Sequence, residues 1–210
     1  MIRHTIARSL FCLACVCAAT ASGSDIEALT AVCADCHGPD GVSPNPDVPI
    51  IGGLSVFVIE ENLFAFRDRA RKCRTTGYRG GDTNRPPTNM CEIAANLGDE
   101  DISRIAEFFA EKPFVPAIQQ LDPGKAARGK EIHERECNKC HTRSGSDPVD
   151  HASILAGQWA AYLRIAFAEI ISGERNVPRN MGAKMSKLSD EDIEALVHFY
   201  ASSGDAVLTR

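Results

Sequence analysis

The chain is predicted to be all-α, two tandem copies of one small helical domain, and three observations predict it. Residues 33–37 and 137–141 both read Cys-x-x-Cys-His, at an offset of 104. The flanks repeat as well: Ile50-Ile51-Gly52-Gly53 matches Ile154-Leu155-Ala156-Gly157 at that offset, while Asp99-Glu100-Asp101-Ile102 matches Asp190-Glu191-Asp192-Ile193 at an offset of 91. Between these landmarks the apolar residues recur at helical spacing, not in strand-like alternation. The offset falls by 104 − 91 = 13, so the first half carries about that many additional residues, between Gly53 and Met90.

Residues 1–23 read as a secretory signal peptide. Arg3, His4 and Arg8 make a basic start, 9–18 is apolar, and Ala19-Thr20-Ala21 offers a small-x-small cleavage site. The apolar run is too short to remain as a membrane anchor. Cys12, Cys15 and Cys17 leave with it. Lipidation at Cys15 is the alternative, disfavoured by a short run broken by Arg8. The expected compartment is the periplasm.

The first domain is expected over 24–112. Its opening helix, 25–33, runs into the first motif. A middle helix follows at 55–70, with Val56, Ile59, Leu63 and Phe66 on one face, and a last helix at 99–111 carries Ile102, Ile105, Ala106 and Phe109. Pro113, Pro116 and Pro123 break helices and mark 113–124 as a linker. The second domain, 125–210, repeats the plan with helices at 125–137, 158–172 and 190–202. Ser189 with Asp192 resembles a capping box at the start of the last one, whose buried stripe is Ile193, Leu196, Val197 and Tyr200.

The Cys-x-x-Cys-His pattern is the attachment signature of haem c. Two nearby thiols add across the two vinyl groups of one haem, and the adjacent imidazole is held beneath the iron. Two copies in an exported chain imply two covalently bound haem c groups, on Cys33 and Cys36 and on Cys137 and Cys140, with His37 and His141 as proximal metal ligands. Zinc or disulfide loops with incidental histidines are the competing reading. A thioether on the other side of the iron stabilises Fe(II). Beyond the signal the chain has Met90, Met181 and Met185 only. Met90 and Met181 occupy matching repeat positions before the last helix of each half and are the expected distal ligands; Met185, one helical turn on, is the alternative to Met181. Among the histidines, His133 and His198 are expected on the surface, and His151 near a haem edge.

Two cysteines remain, Cys73 and Cys91. An oxidising compartment favours pairing them, which would hold the loop of the adjoining Met90; a Cys91 thiolate on iron is the alternative. Arg67, Arg69, Arg71, Lys72, Arg74, Arg79 and Arg85 crowd the same stretch. They read as a docking patch for an acidic partner, as neutralisers of haem carboxylates, or as a solvated face. Trp159 and Tyr162 are expected near the second haem's edge, as packing of the middle helix. The chain as a whole is acidic, 28 Asp and Glu against 23 Lys and Arg, which disfavours a nucleic-acid role. It has no GxGxxG nucleotide fingerprint, so its electrons must come from another protein.

The haem motifs, the methionines ahead of the closing helices, Met90-Cys91-Glu92-Ile93-Ala94 and 188–193 resemble the cytochrome c4-type dihaem cytochromes. Ile154-Leu155-Ala156-Gly157-Gln158-Trp159 with Tyr162-Leu163, and 181–185 with Lys184 and Lys187, look closer to the cytochrome subunit of flavocytochrome c sulfide dehydrogenase. The resemblance implies two class I cytochrome c domains related by a pseudo-twofold axis, haem carboxylates facing each other across their interface, and an electron-transfer protein with no catalytic residues of its own. Implied partners are redox proteins: a dehydrogenase and a respiratory or photosynthetic acceptor for a free shuttle, or a flavoprotein sulfide dehydrogenase subunit in a permanent complex. A dihaem enzyme acting on peroxide or a small sulfur species is the remaining alternative. The Arg-rich extension and the Cys73/Cys91 pair depart from the family pattern.

Overall fold

The computed structural model describes residues 23–208. Among them it is helical, with only two isolated β-bridges, Arg71 with Arg175 and Thr76 with Thr88. The predicted signal peptide, with Cys12, Cys15 and Cys17, lies outside the described residues but for Gly23.

The first half holds α1 (Gly23–His37), α2 (Val56–Arg67), α3 (Met90–Ala94) and α4 (Asp99–Ala110). α1 runs through the first motif instead of ending at it. It stops at Gly38, whose φ of 79° a side chain would resist. Ser55, expected inside α2, is its N-cap and accepts from the Val58 amide at 3.4 Å. α2 buries Val58, Ile59 and Leu63 against Ile102, Ile105, Ala106 and Phe109 of α4. The extra residues of this half form a strap, 71–88. Cys73 and Cys91 are joined by a disulfide, Cα to Cα 5.7 Å, which ties the strap to α3.

The second half holds α5 (Pro123–Ile132), a π-helical turn at His133–Cys137, the one-turn α6 (Thr142–Gly145), α7 (Ala160–Ile171), α8 (Arg179–Met185), α9 (Asp190–Ser202) and α10 (Asp205–Leu208). The predicted linker is shorter at its end than expected. Pro123 opens α5 instead of breaking it, because the first helical residue needs no N–H partner, and Asp122 caps it through the amides of Gly124 and Lys125. The single helix expected over 125–137 widens into the π turn at His133. The capping box at Ser189 and Asp192 is present. The short helices α3 and α8 were not expected; at five and seven residues they fall below the length at which periodicity is legible.

The α5–α9 crossing is close. A Cβ on Gly129 would collide with the Ala195 carbonyl, so only glycine allows this approach. The crossing turns His133 inward. It is 2% exposed with Nδ1 3.0 Å from the Tyr200 hydroxyl, which corrects the surface assignment. His198 is also buried, because the Asp122 amide at the end of the linker closes over α9 and donates to its Nδ1 at 2.9 Å.

The halves lock together through the segment after the second motif. The Gln158 amide exchanges two hydrogen bonds with the Ile50 backbone, at 2.9 and 3.0 Å, and Trp159 Nε1 donates to the Ser43 carbonyl at 2.8 Å. Ile154, Ala156 and Val207 join the apolar cluster of the first half.

Candidate haem sites

Both Cys-x-x-Cys-His motifs line one cavity of about 1300 Å³ between the halves. That exceeds the ~300–1,000 Å³ of ordinary small-molecule pockets. Its wall includes Cys33, Cys36 and His37 from the first motif, Cys137, Cys140 and His141 from the second, and Met90, Met181 and Met185. Residues far apart in sequence thus share one wall.

In the first motif α1 presents Cys33 and Cys36 one turn apart, half-buried and unpaired. Burial pushes the Cys33 thiol up to about 11. The buried His37 donates from Nδ1 to the Pro49 carbonyl at 2.9 Å, which leaves Nε2 with its lone pair available. Burial holds its pKa below the ordinary histidine value despite that carbonyl, so the ring is neutral, the form that ligates metal. Met90 is half-buried at the first position of α3, behind its N-cap Asn89.

In the second motif the chain leaves the helical path. Cys137 closes the π turn, Cys140 is exposed, and Arg143 and Ser144 have left-handed φ of 50° and 61°. His141 Nδ1 is buried with no hydrogen-bond partner, so one ring nitrogen of this motif is unsatisfied by protein. Burial, helped by the nearby His133, lowers its pKa. Burial also raises the Cys137 thiol. Met181 is half-buried beside the second apolar cluster, whereas Met185 is a buried member of it at 6% exposure.

These residues fit haem better than zinc or disulfide loops. The four motif cysteines are free, and among the described residues no three His, Cys, Asp or Glu side chains converge on a metal position. The cavity wall is mainly apolar, as a porphyrin requires.

The cationic cluster of the first half does not stand free. Arg67 pairs with Asp99, Arg69 with Glu92, Arg71 and Arg74 with Glu169, Lys72 with Glu174, Arg79 with Asp47, and Arg85 with Asp35. His151 is exposed on the cavity rim, edge-on to Phe57. Tyr162 reaches the same wall as Arg71 and Arg175, a cross-half contact that periodicity within α7 had not revealed.

The helical repeat and the donors on this cavity define a class I c-type cytochrome built of two tandem domains. Comparison with known proteins places it further. Residues 124–199 match the family model described as cytochrome C oxidase, cbb3-type, subunit III. The chain is 30% identical over 176 residues to cytochrome c4 of Azotobacter vinelandii, covering 79% of this chain and 81% of that one. It is 27% identical over 183 residues to cytochrome c4 of Pseudomonas aeruginosa, covering 81% and 83%. Reduced recombinant cytochrome c4 from Pseudomonas stutzeri superposes with a TM-score of 0.68 at 23% identity, covering 87% of this chain and 98% of that one. Thiosulfate dehydrogenase (TsdBA) from Marichromatium purpuratum gives 0.60 at 22% identity, over 80% of this chain but only 36% of that one. The chain belongs to the cytochrome c4 family, and it is an electron-transfer cytochrome.

Proposed function

We propose that this chain is a periplasmic dihaem carrier that passes electrons from a dehydrogenase to a respiratory or photosynthetic acceptor. One observation carries the reading: two complete donor sets, each of two thiols, an imidazole and a thioether, share the wall of a single cavity. Cys33 and Cys36 anchor one haem and Cys137 and Cys140 the other. His37 and Met90 would ligate the iron of the first, and His141 and Met181 that of the second. Haem c supplies reversible one-electron Fe(III)/Fe(II) chemistry. The chain's own residues fix the rest. Pro49 orients the His37 ring, the disulfide holds the Met90 segment, and the apolar clusters exclude water, so that electrons pass with little reorganisation. Met181 is favoured over Met185 because Met185 is committed to the core.

The signal-peptide pattern in 1–23 and the disulfide support a periplasmic location. Among the described residues no helix is long and apolar enough to cross a membrane. A second reading, a bound subunit of a sulfur-compound dehydrogenase, is favoured by 154–163 and by the similar fold within thiosulfate dehydrogenase.

The test is absorption spectroscopy of the purified protein. A far-red Met–Fe(III) band scaling with two haems, and no carbon monoxide uptake by the reduced form, is expected. A high-spin signal or ready carbon monoxide binding at either haem contradicts doubly ligated iron. Co-purification of a stoichiometric dehydrogenase subunit selects the second reading.

A further inference from the structure

The strap delivers a buried guanidinium to the cavity between the halves. Its backbone pairs with the second half where Lys72 donates to the Glu174 carbonyl at 3.2 Å and Arg71 bridges Arg175. Lys72 Nζ meets Glu174 at 2.5 Å and Arg74 meets Glu169 at 2.9 Å. The Arg71 side chain is 10% exposed. It gives Nη1 to Asn62 at 2.7 Å and sets Nη2 3.5 Å from Glu169, and its buried Nε has no hydrogen-bond partner.

Charge at this wall does not balance. Arg71 and Arg74 share one buried carboxylate, Glu169, while Arg175 lines the same wall and, among the described residues, no carboxylate lies within ion-pair distance of it. Tyr162 lines the same wall and feels the charge of both Arg71 and Arg175. Burial would raise its phenol, but the two cations outweigh burial and hold it below its ordinary pKa, which reports a positive local potential. A planar guanidinium with a free donor in a desolvated wall suits a carboxylate.

We infer that Arg71 and Arg175, with the Tyr162 hydroxyl, form a carboxylate-binding site that holds haem carboxylates at the interface of the two halves and raises the reduction potential of the haems it contacts. The assignment rests on the dihaem reading. The vinyl edge of each haem is committed to its cysteines, which leaves the carboxylate edge for the remaining cavity wall. Because Arg71 lies beside the strap's disulfide, the extension would set potential as well as join the halves. Arg71 and Arg175 are positioning residues.

Spectroelectrochemical titration of Arg71→Gln and Arg175→Gln holoprotein tests this, with haem content and thermal midpoint measured alongside. Loss of either cation should disfavour reduction at least tenfold at one haem or both, a fall of 59 mV for one electron. Arg71→Lys should recover part of the shift, and Arg67→Gln, remote from the cavity, should cause none. If Arg71→Gln does not fold, Arg175→Gln carries the same readout. Potentials unchanged in folded variants with two haems overturn this assignment alone. A wild-type protein with fewer than two haems overturns the dihaem reading and this assignment with it. A tenfold shift of wild-type potentials on adding sulfate at constant ionic strength overturns it too, since the site would then take a free oxyanion.

Discussion

The first and second Cys-x-x-Cys-His segments have the same motif and different surroundings. In the first, α1 continues through the motif, His37 is oriented by Pro49, and the strap folds over Asp35 between the cysteines. Gly80 and Gly81 lie against Asp35, Arg85 pairs with it, and Arg85 stacks on Tyr78 at 3.6 Å. In the second, the helix opens into a π turn, Asn138, Lys139 and Cys140 are exposed, and the ring nitrogen matching the one His37 gives to Pro49 is unsatisfied. A five-residue motif specifies which atoms meet the haem. Neighbouring segments decide how rigidly they are held and how open the edge is.

The contrast can be broken most severely at the cysteines. Replacing Cys33 and Cys36 with Ser should remove half of the covalent haem, and replacing Cys137 and Cys140 the other half, by pyridine haemochrome assay. Loss of all haem from either double variant would show that the halves do not load independently.

The crossing of the first and last helices differs next. Gly129 of α5 sits under the Ala195 carbonyl, whereas its repeat partner Asp25 is exposed and pairs with Arg104 at 2.8 Å. Gly129→Ala should destabilise by about 3 kcal/mol through overpacking. Asp25→Ala should stay within about 0.5 kcal/mol of the parent in denaturant titration. Equal losses would mean that the two crossings are equally tight.

The strap's disulfide belongs to the first half alone. Its 18-residue separation corresponds to about 3 kcal/mol in the chain-entropy picture. Cys73→Ser with Cys91→Ser should lower stability by that order and weaken the far-red band of the Met90 haem, leaving the other band intact. Equal weakening of both bands would deny the strap its local role.

The smallest expected effect concerns acid. Glu194 is held at about 2, first by its hydrogen bond from Arg164 and then by His198, against a partly opposing burial cost. Its folded pKa lies below its ordinary 4.5, so its contribution is complete above that value and is lost as pH falls toward about 2. Glu194→Gln should flatten the acid limb of stability in that window by well under about 1 kcal/mol, because the pair is partly exposed and screened by solvent. An unchanged limb would remove Glu194 from the account of the second half.

Much of this was legible in the chain. The repeat displayed the two domains, the last helices and the matching methionines, because helical stripes and caps are local. The burial of His133 was not, since it follows from Gly129 meeting a helix some 60 residues away. His198 was misplaced because its repeat partner, Glu107, is exposed while the linker covers the second copy. Pro123 was read as a breaker where its position made it a first helical residue. The pairing of the strap's cations with the second half was invisible, since composition shows charge but not partners.

The most direct test of the account is peptide mapping of the native protein by mass spectrometry. It should yield two haem-bearing peptides, one spanning 33–37 and one spanning 137–141, each with a single haem. A haem on only one of them, or a Cys137–Cys140 disulfide in place of the second, would contradict two donor sets sharing one cavity.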